Sequence, residues 1–221
     1  MDASLYVEET AENFDTVMFI YESAIKRMQC KVEILNTEFQ RVHKYNPIEY
    51  IKTRVKKPES IVKKLRKNNY EPTLKNMVEH CNDIAGIRIV CSFTSDIYEI
   101  AEMIGRQDDV TVLIIKDYLK NPKPSGYKSY HMIVTIPVYL SNRVVDTKVE
   151  IQIRTIGMDF WASLEHKIYY KFEGNAPDYI SQELRDCSEI VSTMDAQMLS
   201  LNEAITEAKR KMDEESKNGS Q

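Results

Sequence analysis

Residues 129–154 read SYHMIVTIPVYLSNRVVDTKVEIQIR, and the patterning of this stretch decides the fold. In its second half Val149, Ile151 and Ile153 alternate with Lys148, Glu150, Gln152 and Arg154. Successive side chains of a strand point to opposite faces, so Asp146–Arg154 reads as a strand with one apolar face and one Lys-Glu-Gln-Arg face. The first half, Ser129–Val138, is rich in Ile and Val and reads as a second strand. Only Tyr139–Val145 separates the two, a hairpin-sized connection, so the pair is expected to be antiparallel.

Working outward, Ile84–Phe93 and Val110–Tyr118 have the same β-branched richness and read as two further strands, whose pairing directions are not legible. Helical patterns fall at Ser60–Lys67, Thr73–Cys81, Asp96–Arg106 and Met158–Tyr170, and Asn121–Gly126 (NPKPSG) is the clearest loop. The expected class is α+β, a mixed sheet of four or five strands flanked by helices. Both ends read as long helices. Phe14, Met18, Tyr21, Ile25, Met28, Val32, Leu35, Phe39 and Val42 recur three and four apart, as do Ile180, Leu184, Cys187, Val191, Met194, Met198, Leu201 and Ile205, continuing to Ala208 and Met212. Such spacing lines one side of a helix. The second stripe runs about 50 Å at 1.5 Å per residue and cannot bury itself. The ends are therefore expected to pack on each other, on the central domain or on a second copy. The organisation expected is a helical region at 1–44, a catalytic domain at 45–172, and a long helix with a disordered tail at 173–221.

Composition narrows the class. A length of 221 residues suits one domain with a helical extension and a core that needs no disulfide or metal. Only 6 Gly and 7 Pro exclude a collagen-like or linker-like chain. Cys30, Cys81, Cys91 and Cys187 lie far apart among apolar neighbours, which reads as small core residues in a reducing compartment. There is no membrane-length apolar run, and the start, MDASLYVEET, lacks the pattern of a signal peptide. A cytoplasmic location is the expectation. Charge is uneven: residues 41–67 hold ten Lys/Arg against Glu49 and Glu59, a net +8 that leaves −12 on the rest of a chain totalling −4. A confined basic stretch suits an anion site for a nucleoside triphosphate or a nucleic-acid backbone, or else a solvated helix face.

The polar face of 146–154 is either solvated or the floor of a site. His131 lies on the neighbouring strand, and Lys123, Tyr127 and Lys128 precede it. Asp83 stands ahead of a strand expected to be buried, and Arg88 lies within it, where a charged guanidinium needs a partner or a ligand. Asp83 and Glu150 are acids at strands facing a basic cluster, and two carboxylates plus phosphate oxygens are a usual Mg²⁺ environment; two structural ion pairs are the alternative. Neither a P-loop nor a G-x-G-x-x-G loop is present, nor H-E-x-x-H, zinc-type Cys/His spacing or an adjacent His-Asp pair. Trp161, Phe160, Leu164 and Ile168 read as helix core, Glu165 and His166 as structural or supporting, and His43 and His80 as surface.

The runs DIAGIRIVCSF (83–93), KDYLKNPKPSGYKSYH (116–131), VEIQIRT (149–155) and DFWASLEHKIYYK (159–171) resemble, in order, the synthetase domain of RelA/SpoT-type enzymes. The chain length resembles the small alarmone synthetases. The resemblance covers roughly residues 45–172 and implies a nucleotidyltransferase-like sheet. The implied reaction is Mg²⁺-dependent transfer of pyrophosphate from ATP to the ribose 3′-hydroxyl of GDP or GTP, or GMP, giving AMP and (p)ppGpp. By the resemblance, Asp83 and Glu150 hold Mg²⁺ and Glu150 takes the 3′-hydroxyl proton. Arg54 and Arg88 sandwich adenine; Lys56, Lys64 and Lys67 lie near the ATP phosphates. Tyr127 stacks on guanine, and Lys116, Lys123, Lys128 and His131 meet the acceptor's phosphates, with Gln152 and Arg154 on the same face. Ser125 stands where longer members carry Asn, which leaves the grip on the guanine edge and the choice among GMP, GDP and GTP open, and Lys128 stands where Arg is frequent, which keeps a phosphate contact but not a bidentate one. A homotetramer is implied as well, with no membrane partner. RNA binding stays open without being expected, and the competing reading is a non-catalytic nucleotide- or RNA-binding module.

Overall fold

The computed structural model describes residues 14–171 and 177–218. Helix α1 (Phe14–His43) leads into strand β1 (Ile48–Val55), helices α2 (Pro58–Lys67) and α3 (Leu74–His80), strand β2 (Ala85–Cys91) and helix α4 (Thr94–Gly105). Strands β3 (Thr111–Asp117), β4 (Tyr130–Tyr139) and β5 (Val144–Thr155) follow, then helices α5 (Ile156–Lys171) and α6 (Asp178–Asn218). The five strands form one sheet in the order β1-β2-β5-β4-β3, antiparallel except for the parallel pair β2–β5. The antiparallel β4–β5 hairpin expected from 129–154 is present, with Thr135 opposite Lys148 and His131 opposite Gln152.

Strand β1 is the fifth strand, and no periodicity announced it. It is an edge strand with one neighbour, and of its eight residues only Ile48 is buried. A strand paired on one side, with cations lining a polar cleft, loses the apolar alternation that marks a half-buried strand. Local chemistry shapes the segment that follows. Pro58 opens α2, where its missing N–H costs nothing, and the Thr73 hydroxyl accepts the Asn76 N–H at 3.2 Å to cap α3.

The apolar face of the sheet carries the core. Ile87 and Ile89 of β2, Val134 and Ile136 of β4, and Val149, Ile151 and Ile153 of β5 join one buried cluster with Met28 and Val32 of α1 and Ile97, Ile100 and Ile104 of α4. The expected α1 stripe is buried through its middle, from Val17 to Val32, and runs past the sheet edge at Val42. Each large side chain so buried contributes roughly 1.5–3 kcal/mol.

The C-terminal helix packs only along its first half. Trp161 of α5 is buried beneath it and donates its indole N–H to Leu184 O at 2.8 Å. A Cβ on Gly157 would meet Val191 Cγ1 at 2.9 Å and Asp195 Oδ1 at 3.0 Å, so the two helices touch through glycine. Gly126 has φ +90° and its Cβ position lies 2.9 Å from Ser188 Cβ, so it is required both by its turn and by close approach to α6.

Four readings change. Phe160 and Leu164 are exposed rather than core, because none of the described residues covers their side of α5. Cys30 and Cys187 are exposed, while Cys81 and Cys91 are buried as expected; all four are free. From Met194 to Met212 the stripe of α6 faces solvent. His80 is half-buried, stacked on Tyr70 with ring centroids 3.8 Å apart. The tail past Asn218 and the boundary at 172/173 lie outside the described residues. No described helix is long and apolar enough to cross a membrane.

Candidate functional site

The opposite face of the sheet is polar, and register builds it. Lys52 of β1 lies opposite Arg88 of β2, Arg88 opposite Gln152 of β5, Gln152 opposite His131 of β4, and His131 opposite Lys116 of β3. One polar row therefore crosses all five strands. A second row sets Arg54 opposite Gly86 and Gly86 opposite Glu150. Of the Lys-Glu-Gln-Arg face read from β5, Glu150 and Gln152 line a cleft, while Lys148 Nζ turns to Val78 O at 3.3 Å and Glu79 O at 2.9 Å.

At the β1–β2 side a cleft is lined by Lys52, Arg54, Gly86, Arg88, Glu150 and Gln152. The Arg54 side chain lies across Gly86, its Cγ 3.4 Å from where a Cβ would stand, so the absent side chain leaves room for it. Arg88 Nε is buried without a hydrogen-bond partner. A buried guanidinium N–H left unpaired is costly, and the cleft beside it can take a ligand acceptor.

Asp83 sits in the turn before β2, where Lys56 Nζ reaches Oδ2 and Lys64 Nζ reaches Oδ1, both at 2.7 Å. Burial pushes its carboxyl up, but the two lysines outweigh this and hold it below the ordinary range. Glu150 accepts from Gln152 Nε2 at 2.9 Å and has His131 Nδ1 at 3.5 Å. Burial raises it too, yet the contacts from His131 and Gln152 prevail and keep it ionised. Burial, with Arg154 and Lys123 nearby, drives His131 below its usual value, so the imidazole is neutral at pH 7.

Toward β4 the residues form a network. The Tyr127 hydroxyl lies 2.8 Å from His131 Nε2, and Arg154 Nη2 donates to the same hydroxyl. Lys123 Nζ stands 4.7 Å and Arg154 Cζ 4.9 Å from the Tyr127 ring centroid, so a base stacking there shares the ring with cations. Burial, then repulsion from Lys116 and Arg154, lowers Lys123 against the pull of Glu150 and Glu165.

Not every candidate converges. Lys128 turns to α6, with Nζ 2.6 Å from Ser192 Oγ and 3.3 Å from Glu189 Oε1. Lys67 is exposed at the end of α2, three residues past Lys64. Ser125 sits in the turn closed by Gly126 N–H to Lys123 O at 2.8 Å.

The sequence reading missed Asp159, which is 2% exposed in the first turn of α5. Its Oδ1 is 3.1 Å from Arg88 Nη1 and 3.2 Å from Arg154 Nη1. Its Oδ2 accepts the Tyr50 hydroxyl at 2.9 Å and lies 3.8 Å from Lys52 Nζ. The signal was an acid five residues after a strand-borne Arg, which only the turn between β5 and α5 brings together.

Asp83 and Glu150 offer hard carboxylate oxygens, and among the described residues no group of three or more His, Cys, Asp or Glu could hold a metal ion. That donor set fits a cation that keeps its waters and takes substrate phosphate oxygens, as Mg²⁺ does, and not an all-protein cage.

A family model described as the region found in RelA / SpoT proteins matches residues 53–175. The chain is 45% identical over 194 residues to GTP pyrophosphokinase YwaC of Bacillus subtilis (strain 168), covering 88% of this chain and 92% of the relative. It matches the crystal structure of the small alarmone synthetase 2 from Bacillus subtilis with a TM-score of 0.80 at 43% identity, over 87% of this chain and 100% of that one. Against the small alarmone synthetase 1 from the same organism, bound to its product pppGpp, the TM-score is 0.82 at 34% identity, over 87% of this chain and 98% of that one.

Proposed function

The chain belongs to the RelA/SpoT family, and from that premise we propose how the polar face of its sheet works. It is a GTP pyrophosphokinase of the small alarmone synthetase type, moving pyrophosphate from ATP to the ribose 3′-hydroxyl of a guanosine nucleotide and releasing AMP. One observation carries the assignment of roles: Glu150 lines the same cleft as Arg54 and Arg88 and also contacts His131 of the Tyr127 network. It stands at the junction of two binding regions.

In this reading Arg54 and Arg88 hold the adenine between guanidinium planes, with the unpaired Arg88 Nε available to it. Lys56, Lys64 and Lys67 take the ATP phosphates. Lys116 and Lys123 neutralise the acceptor's phosphates, and Tyr127 and Ser125 meet the guanine. Asp83 and Glu150 would hold Mg²⁺, which when bound supplies charge neutralisation on the transferred group. Each lysine on Asp83 leaves it for phosphate as the nucleotide arrives, so that carboxylate is occupied in the apo protein and freed on binding. Glu150, ionised, accepts the proton of the attacking 3′-hydroxyl. The catalytic unit is residues 45–172. A second copy covers the exposed stripe of α6, as part of a homotetramer in the cytoplasm.

The test mixes purified protein, Mg²⁺ and ATP with GMP, GDP or GTP in parallel and resolves nucleotides by anion-exchange chromatography. AMP is expected in step with a guanosine 3′-pyrophosphate, and the best acceptor reports how Ser125 is used. No AMP from folded protein with any acceptor would sink the assignment.

A further inference from the structure

Arg154 reaches Glu150 by two routes, and the partners at each end set the direction of the hydrogen bonds along them. A guanidinium only donates. Arg154 Nη2 donates to the Tyr127 hydroxyl, which therefore accepts and has one proton left to give. Its other partner is His131 Nε2 at 2.8 Å, and because the Nδ1 side of the ring faces Glu150 Oε1 at 3.5 Å, a carboxylate that only accepts, the imidazole proton belongs on Nδ1 and Nε2 is left to accept from Tyr127. On the second route Arg154 Nη2 donates to Gln152 Oε1 at 3.1 Å, which turns the amide nitrogen toward Glu150 Oε2 at 2.9 Å. Two arms that begin on one cation thus end on the two oxygens of one carboxylate.

The cation is itself fixed. Arg154 is 3% exposed, and its Nη1 lies 3.2 Å from Asp159 Oδ1 while its Nε donates to Ser129 Oγ at 3.3 Å. Asp159 also holds Arg88 of the adenine cleft at 3.1 Å. A buried network of this kind orients its terminal group when every member is satisfied.

We propose that Asp159, Arg154, the Tyr127 hydroxyl, Gln152 and His131 form a positioning network that holds His131 in its Nδ1–H tautomer and aims the carboxylate of Glu150. The inference rests on Glu150 being the proton acceptor of the pyrophosphokinase reaction. It gives Arg154, Gln152 and His131 work other than touching the acceptor nucleotide, and it gives Asp159 a role. The Tyr127 hydroxyl acts separately from its ring, which a base would share with Lys123 and Arg154.

Two measurements on the full chain test it. With ¹⁵N-histidine-labelled wild-type protein, His131 is expected to show a protonated Nδ1 and an unprotonated Nε2. In Tyr127→Phe that pattern should be lost, kcat should fall roughly 10–100-fold, and the KM values for ATP and the acceptor should stay within about threefold. Asp159→Asn should lower kcat similarly and add a rise in the KM for ATP through Arg88. A wild-type His131 protonated on Nε2, or Tyr127→Phe with unchanged kcat or with only the acceptor KM raised, would overturn the network. Should Asp159→Asn fail to fold, Tyr127→Phe and the wild-type tautomer decide. Absence of AMP from the wild type overturns the pyrophosphokinase reading instead, while the tautomer still decides the network.

Discussion

Glu150 alternates with Val149 and Ile151 on β5, so its backbone position is that of any polar residue on a half-buried strand. Its chemistry comes from neighbours on other strands: Gly86 opposite it on β2, and His131, which faces its neighbour Gln152 from β4. Glu150→Gln keeps the shape and removes the basic oxygen. Turnover is expected to drop by roughly 10²–10⁴-fold with melting temperature and nucleotide binding nearly unchanged, as steady-state assay, calorimetry and titration would show together. A drop in melting temperature alongside activity would make Glu150 a structural acid instead. Trp161 is the contrasting residue: buried and bonded to Leu184 O, in a small apolar cluster on which Tyr127 packs. Trp161→Phe forfeits one buried hydrogen bond and some volume, about 1–3 kcal/mol by chemical denaturation.

At the scale of elements, α1 is held to the sheet by its apolar stripe and to the α4–β3 turn by charge. Asp109 receives Arg27 Nη2 and Lys31 Nζ, each at 2.8 Å. The hydrogen bond from Lys31 is the largest influence on it, and with Arg27 it outweighs burial and lowers its carboxyl below the ordinary 3.8. A depressed carboxyl stabilises the fold at pH above its unfolded value, and the contribution is lost as pH falls through the lower folded value. The pairs are partly solvent-screened, so Asp109→Asn is expected to cost only about 0.5–1 kcal/mol at pH 7 in low salt. That difference should vanish in acid below pH 3.8 and shrink in high salt. The α5–α6 contact is steric: Gly157→Ala places a methyl within 3.0 Å of both Val191 and Asp195. It should lower stability by about 1–3 kcal/mol.

At the scale of the whole molecule, the first half of α6 packs on the domain, while Met194, Met198, Leu201, Ile205 and Met212 are all exposed along one stripe. Phe160 and Leu164 of α5 are exposed too. A helix of 41 residues with one solvent-facing apolar stripe is unstable as a lone extension, and in the proposed assembly a second copy presents the complementary stripe. Light scattering should give a mass near four times the 25.8 kDa of one chain, and the double variant Leu201→Glu with Ile205→Glu should shift it toward a single chain. A wild-type mass of one chain at micromolar concentration would remove the assembly.

The sequence by itself determined whatever rests on short-range periodicity: the alternating face of β5, the β4–β5 hairpin, the α1 stripe, and an ordered set of motifs that identifies the chemistry. Period and turn length are local quantities, and each is written in consecutive residues. Only the tertiary structure decided that β1 is a strand, because an edge strand with cations over a cleft has no apolar alternation to read. Only it decided that β2 runs parallel to β5, which brings Arg88 beside Gln152 and Glu150 opposite Gly86. It also turned Lys128 toward α6 and placed Asp159 beneath two arginines from different strands. Those relations join residues far apart in the chain, and they are fixed by sheet register and by which buried charges must find partners.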